Sequence, residues 1–283
     1  DINSSINDAT INGVCFDICS LDEFAHQNNL DSKQSIAFQS ICSSFMLSFL
    51  TDLTTDVSQN DREYYQSLLE SKGAKQQLLL CVTGPGGSGK SHIVKCCRLY
   101  CKSFCDAIGK PFDFSVFPIT ATSNSAASLL QGKTIHTATL INNKYISMEL
   151  SLDVNWTTTK VLIIDEISRI KNATTQRSVA TKHLADSMRR DWGTDCYIAG
   201  LSGTPAPKVP SDWWHLCEVV CPGYVREANM FLFRDRLGVF EDKETVPGAG
   251  TYKSLVHWKD NEVLGLKKRL HGLVGIWTKE ECL

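Results

Sequence analysis

The residues Gly84-Pro85-Gly86-Gly87-Ser88-Gly89-Lys90-Ser91 follow the spacing G-x-x-x-x-G-K-[ST], which suits them to cradle a chain of phosphates. Glycines let successive backbone N–H groups turn inward on anionic oxygens, and a helix starting near Lys90 brings its positive end to the same point. Lys90 is then expected to reach the β- and γ-phosphates of a nucleotide, and the Ser91 hydroxyl to ligate Mg²⁺. An apolar run, Val161-Leu162-Ile163-Ile164, ends in Asp165-Glu166, so two carboxylates stand at the end of an expected buried strand. Asp165 is expected to hold the metal through its water shell. Glu166 is expected to polarise a water for in-line attack on the γ-phosphate. Together these types and spacings support Mg²⁺-dependent ATP hydrolysis, with Lys90, Asp165 and Glu166 as the catalytic set.

Such a site needs buried strands to deliver its two halves to one place. Short apolar runs at 77–83, 115–120, 160–164 and 195–201 carry few charges, and helical patterns at 90–108, 123–131 and 175–192 alternate with them. This predicts an α/β fold, a mainly parallel sheet flanked by helices. Upstream, Asp31 can cap a helix in which Ile36, Ala37, Ile41, Phe45, Phe49 and Leu50 recur near the helical period. Residues 1–58 are therefore read as an N-terminal helical segment and 59–205 as the ATPase domain. Residues 206–283 are read as a C-terminal extension. Pro205, Pro207, Pro210, Gly248 and Gly250 break up that last third, whose weak periodicity predicts an irregular tail.

A formal net charge of -2 and a pI near 6.4 exclude a global positive field, so any contact with a polyanion must be local. The 12 cysteines lack the regular spacing of a secreted disulfide scaffold, and Cys97, Cys101 and Cys105 fall at helical spacing; both point to packing roles in a reducing, intracellular setting. His215, Cys217 and Cys221 do not have zinc spacing and are read as structural. No apolar run approaches the roughly 18 residues needed to span a bilayer, so no membrane partner is expected. The chain opens on Asp1 rather than Met and is expected to be a piece of a longer protein.

From Leu30 to Glu166 the chain resembles the PIF-type DNA helicases of superfamily 1. Leu30-Asp31-Ser32-Lys33-Gln34 with Ala37-Phe38 looks like that family's Q motif, which implies that Gln34 reads the adenine edge. The same Gln34 could instead complete a helix-capping box with Asp31. Ile119-Thr120-Ala121-Thr122-Ser123-Asn124-Ser125-Ala126-Ala127, followed by Gly132-Lys133-Thr134-Ile135-His136, resembles the motif Ia region and its downstream signature. That likeness implies contact with single-stranded DNA through Thr120, Thr122, Ser123, Asn124 and His136; the plainer alternative is a Ser/Thr helix cap. Asp165-Glu166-Ile167-Ser168 is similar to the family's acidic motif.

Beyond it the resemblance changes. Arg169-Ile170-Lys171-Asn172 and Leu201-Ser202-Gly203-Thr204-Pro205 look like Swi/Snf-type superfamily 2 helicases, as does the segment through Trp213-Trp214 to Leu283. Both groups imply a RecA-like core using ATP with Mg²⁺, in which Ser202 and Thr204 couple the γ-phosphate to DNA. The implied function is a helicase or translocase motor. This chain would be its first RecA-like domain, with a second, arginine-bearing domain elsewhere in the full-length protein. Two other classes stay open: a P-loop ATPase that remodels protein complexes, and an inactive nucleotide-binding module.

Overall fold

The structure, a computed structural model, describes residues 9–11, 14–16, 18–50, 63, 67, 79–83, 87–139, 159, 161–193, 196–202, 209–244, 251–270 and 273–276. A hairpin of β1 (Ala9–Ile11) and β2 (Val14–Phe16) precedes helices α1 (Leu21–Gln27) and α2 (Ser32–Leu50). Strands and helices then alternate as β3 (Leu79–Thr83), α3 (Lys90–Ala107), β4 (Ile119–Ala121), α4 (Asn124–Leu129), β5 (Lys133–Thr134), α5 (Ile135–Ala138), β6 (Val161–Asp165), α6 (Gln176–Trp192) and β7 (Tyr197–Ser202). The remaining elements are α7 (Trp213–Val220), α8 (Met230–Leu237), the antiparallel pair β8 (Gly238–Glu244) and β9 (Thr251–Trp258), α9 (Asp260–Leu270) and β10 (Val274–Ile276).

The central sheet has the order β10-β3-β7-β6-β4-β5, and its pairings are all parallel, so the carboxyl ends of its strands share one edge. From β3 the chain crosses β7 and β6 to reach β4, returns through β6 and β7, and finally passes to the other side of β3 as β10. Where an open α/β sheet reverses direction in this way, a crevice opens at the carboxyl ends of the strands. The phosphate-cradle sequence follows β3 at that crevice, making this an α/β P-loop fold.

Side chains on a strand alternate between faces, and both faces are covered here. Val161, Ile163, Tyr197, Ala199 and Leu201 pack with α1, α2 and α3, whereas Leu162, Ile164 and Ile198 pack with α5 to α9. That two-sided burial is why β6 and β7 read as unbroken apolar runs. On α3, Cys97, Cys101 and Cys105 are core residues, and burial pushes the Cys105 thiol up to about 12. On α2, Ala37, Ile41 and Phe45 are buried as the periodicity predicts, but Ile36 lies on the outer side. A ring cluster of Phe24, Phe38 and Tyr100 seals α1 and α2 onto α3, and Tyr100 donates its hydroxyl to the Cys19 carbonyl at 3.0 Å.

Two elements differ from expectation. β4 begins at Ile119, not Ser115, because Asp113 Oδ1 accepts from the Ser115 N–H and hydroxyl and holds that stretch in a turn. The expected irregular tail instead carries regular elements, and its last strand extends the sheet by pairing with β3. Trp213 is buried in the second core and Trp214 donates its indole N–H to the Glu227 carbonyl at 3.1 Å, so both rings anchor the C-terminal segment. No helix among the described residues is long and apolar enough to cross a membrane.

His215 lies in this second core, 3% exposed, and burial lowers its pKa from the ordinary 6.5 to about 4, with the Lys182 charge adding to the effect. The unfolded chain therefore binds a proton between pH 6.5 and 4 that the folded chain refuses, and stability falls as pH falls through that window. The loss reaches at most about 3 kcal/mol. Half-buried Asp165, whose pKa is raised by desolvation, acts in the opposite sense near the acid end and makes the slope shallower there. Urea unfolding at pH 7 and pH 5 is expected to show the loss, and His215→Leu is expected to flatten it.

Candidate active site

Gly87 and Gly89 have φ of +85° and +78°, the left-handed region that glycine enters without a Cβ penalty. Gly89 caps α3, so the positive end of that helix's dipole stands at the phosphate loop. Ser88 is buried, and Lys90 donates from Nζ to its hydroxyl at 2.9 Å. Ser91 stands in the first turn of α3. Gly84, Pro85 and Gly86 lie outside the described residues.

Gln34 joins α2 to this loop. Its Oε1 accepts from the Asp31 N–H at 3.1 Å while Asp31 Oδ1 accepts from the Gln34 N–H at 2.9 Å, which is a reciprocal capping box. Its Nε2 donates to the Ser88 carbonyl at 3.3 Å. A Cβ on Gly89 would come within 2.3 Å of that Nε2, the movable end of the Gln34 side chain, so it is the positive φ that calls for glycine there. Both ends of the Gln34 amide are therefore engaged by the protein's own backbone. Of its two sequence readings, the cap is realised, and Gln34 in addition supports the phosphate loop.

The strand register brings the remaining groups to the same edge. Thr83 pairs with Ser202, and Ala121 with Asp165, so the ends of β3, β7, β6 and β4 lie side by side. Asp165 is half-buried, and desolvation raises its pKa; the Glu166 charge pushes the same way, while the Glu166 N–H and the Lys90 charge pull it back. Asp165 Oδ1 accepts that N–H at 2.9 Å. Glu166 adopts φ 54°, ψ 39°, a left-handed conformation that costs a non-glycine residue on the order of 1 kcal/mol. The turn swings its side chain toward the junction of β4 and α4. There Glu166 Oε2 accepts from Thr122 Oγ1 at 2.8 Å and from Ser123 Oγ at 3.1 Å, and pairs with Arg169 Nε at 3.2 Å.

These bonds revise the expected DNA donors. Thr120 is fully buried and donates to the Ile163 carbonyl at 3.0 Å, so it staples β4 to β6 and is not a surface donor. Thr122 is buried as well and is directed at Glu166. Ser123 is half-buried and serves both Glu166 and the N-terminus of α4, where its Oγ accepts from the Ala126 N–H at 3.4 Å. Asn124 is exposed and His136 half-buried on α5. Ser202 is buried at the end of β7, and Thr204 lies outside the described residues.

Arg169 is a member of the site that its position in the sequence left unassigned; its spacing of three residues from Glu166 on a helical turn is the signal that pairs them. Arg189 donates to the Val220 carbonyl at 2.8 Å, closing the end of α7, and pairs with Asp186. Lys267 and Lys268 are exposed on α9, while Arg269 is turned back onto the Val225 carbonyl. His215 and Cys217 are buried, and Cys221 packs against the second core.

No protein-family model and no curated protein sequence matches the chain. Among solved structures it is similar to a Pif1 helicase from Candida albicans at 23% identity and a TM-score of 0.32, over 50% of this chain and 31% of that one. A Bacteroides sp. Pif1 in complex with ADP-AlF4 matches at 19% identity and a TM-score of 0.32, over 52% of this chain and 32% of that one. The Sulfolobus solfataricus SWI2/SNF2 ATPase core in complex with dsDNA matches at 15% identity and a TM-score of 0.36, over 88% of this chain and 44% of that one. The chain spans less than half the length of each of these structures. These likenesses are too loose to carry a statement about chemistry, which rests on the residues at the strand ends.

Proposed function

We propose that this chain is the ATP-hydrolysing first motor domain of a DNA helicase or translocase, acting on single-stranded DNA within a longer intracellular protein. The observation that supports it most is the meeting of Lys90, Asp165 and Glu166 at one sheet edge, with Glu166 bonded to the Thr122-Ser123 segment whose sequence resembles a DNA-contacting motif. ATP binds through the backbone N–H groups of the 84–91 loop and the Lys90 ammonium, with Gln34 holding the loop in place.

The donor set also fits Mg²⁺. The metal is usually held by one or two protein oxygens together with substrate phosphates, and here the Ser91 hydroxyl and the Asp165 carboxylate supply them. A half-buried carboxylate whose desolvation is only partly compensated is suited to a divalent cation. When bound, the cation would neutralise charge on the phosphates. Glu166 orients the attacking water and takes its proton; Lys90 offsets charge that builds up on the β/γ bridge. Ser202, at the end of β7, and Thr204 are the proposed couplers between the γ-phosphate and DNA. An arginine from the second motor domain would complete the site, so this chain alone is expected to bind nucleotide and turn it over slowly, without unwinding.

The test is ATP turnover by the chain with no nucleic acid, with single-stranded DNA and with double-stranded DNA, alongside Lys90→Ala and Glu166→Gln. Turnover stimulated by DNA and lost in both variants is the expected result. Turnover indifferent to every nucleic acid would replace the motor with an ATPase acting on protein complexes. Nucleotide binding without turnover would leave an inactive binding module.

A further inference from the structure

We infer that Thr122, Ser123 and Arg169 are positioning residues that withhold Glu166 from the attacking water, so that the segment carrying the two hydroxyls gates ATP hydrolysis. The inference rests on the proposal that Glu166 is the base. Its own support is geometric. Thr122 Oγ1 at 2.8 Å, Ser123 Oγ at 3.1 Å and Arg169 Nε at 3.2 Å all converge on the single atom Glu166 Oε2. A carboxylate oxygen offers about two lone pairs. Three donors saturate Oε2 and pin the carboxylate against the junction, so a water proton is open only to Oε1, and only from the direction in which the pinned group presents it.

The left-handed backbone at Glu166, braced by the Asp165 carboxylate on the Glu166 N–H, directs the side chain to the junction of β4 and α4. Strain of this kind is held in place only where the surroundings fix it. At that junction, burial gives way to exposure within two residues: Thr122 is buried, Ser123 half-buried, Asn124 and Ser125 exposed. A ligand that draws on Ser123 or Asn124 thus shifts the hydroxyls holding Glu166. In the gated step the water oxygen bonds to the γ-phosphorus, the water proton passes to the released carboxylate, and the bond to the ADP oxygen breaks with its electron pair.

Thr122→Val keeps the shape of the side chain and deletes the donor; Thr122→Ser keeps the donor. Steady-state kcat and KM for ATP would be measured with and without a single-stranded oligonucleotide. In parallel, the carboxyl signal of Glu166 would be followed by NMR on carbon-13-labelled glutamate, assigned by its loss in Glu166→Gln. Thr122→Val is expected to raise kcat without DNA about 5-fold at unchanged KM and to blunt the stimulation by the oligonucleotide, while Thr122→Ser behaves as the parent. The Glu166 signal is expected to move in Thr122→Val. Should that variant melt early, the double change Ser123→Ala with Arg169→Met is expected to raise kcat in the same way.

A fall in kcat that Thr122→Ser restores would mean that the hydroxyl assists the base, and withholding is overturned. An unchanged kcat with an unmoved Glu166 signal overturns it equally. If the parent chain binds ATP but never turns it over, the motor proposal fails and the carboxyl signal alone decides: movement in Thr122→Val upholds the clamp, and no movement removes it.

Discussion

Glu166→Gln is expected to cut ATP turnover about 1,000-fold, in the middle of the range for loss of a general base, while leaving nucleotide affinity within a few-fold of the parent. The substitution swaps one carboxylate oxygen for an amide nitrogen and removes the charge. The remaining amide oxygen still accepts from Thr122 and Ser123, so the junction of β4 and α4 stays closed. The glutamine also tolerates the backbone at φ 54° no worse than glutamate does. The turn of the phosphate loop, set by the positive φ of Gly87 and Gly89, is left in place. Lys90→Ala is expected to differ in kind: it removes a charge from the phosphates in ground and transition states alike, so binding and turnover fall together. Single-turnover hydrolysis together with a fluorescent-nucleotide titration separates the two patterns. Turnover in Glu166→Gln within 5-fold of the parent would put the base elsewhere, and Asp165 would be the next residue to test.

The loop at 84–91 and the acids at 165–166 were legible in the sequence because their chemistry tolerates few residue types at few spacings. The strands behind them were legible because burial on both faces leaves no room for polar side chains, as Val161 to Ile164 illustrate. What stayed hidden depends on register. A hydroxyl type does not say which side of a strand it occupies: Thr120 and Thr122 look alike in sequence, yet one staples β4 to β6 and the other holds Glu166. The bond from Thr122 to Glu166 exists because Ala121 lies beside Asp165, a pairing of residues 44 apart in sequence numbering that no local pattern encodes. β10 was invisible for a similar reason, since three residues carry no periodicity and their partner, β3, lies far upstream. α1 did have a signal, the Ser20-Leu21-Asp22-Glu23 cap in which Ser20 Oγ accepts from the Glu23 N–H at 3.2 Å.

Gly132→Ala is expected to destabilise the fold by about 3 kcal/mol, the upper end for overpacking, because its Cβ would meet backbone that cannot rotate away. An ideal Cβ on Gly132 lies 2.3 Å from the Ile119 carbonyl oxygen and 3.0 Å from the Ile119 carbonyl carbon. Ile119 opens β4, whose residues Thr120 and Ala121 pair with Lys133 and Thr134 immediately after Gly132. The Gly132 N–H is also fixed by donating to the Ala127 carbonyl at 2.8 Å. Relief therefore requires prying β5 from β4 or lifting β4 off β6, against the Thr120 staple. The contrast is Gly265 on α9, where an added Cβ would have nothing within 4 Å. Gly265→Ala is expected to stabilise by about 0.5–1 kcal/mol through helix propensity alone. Urea midpoints at constant slope would compare the two, and the opposite signs are the expected result. If Gly132→Ala unfolded at the parent's midpoint, the edge of the sheet at β4 and β5 would have to be soft. A soft edge there could not fix the Thr122 hydroxyl against Glu166.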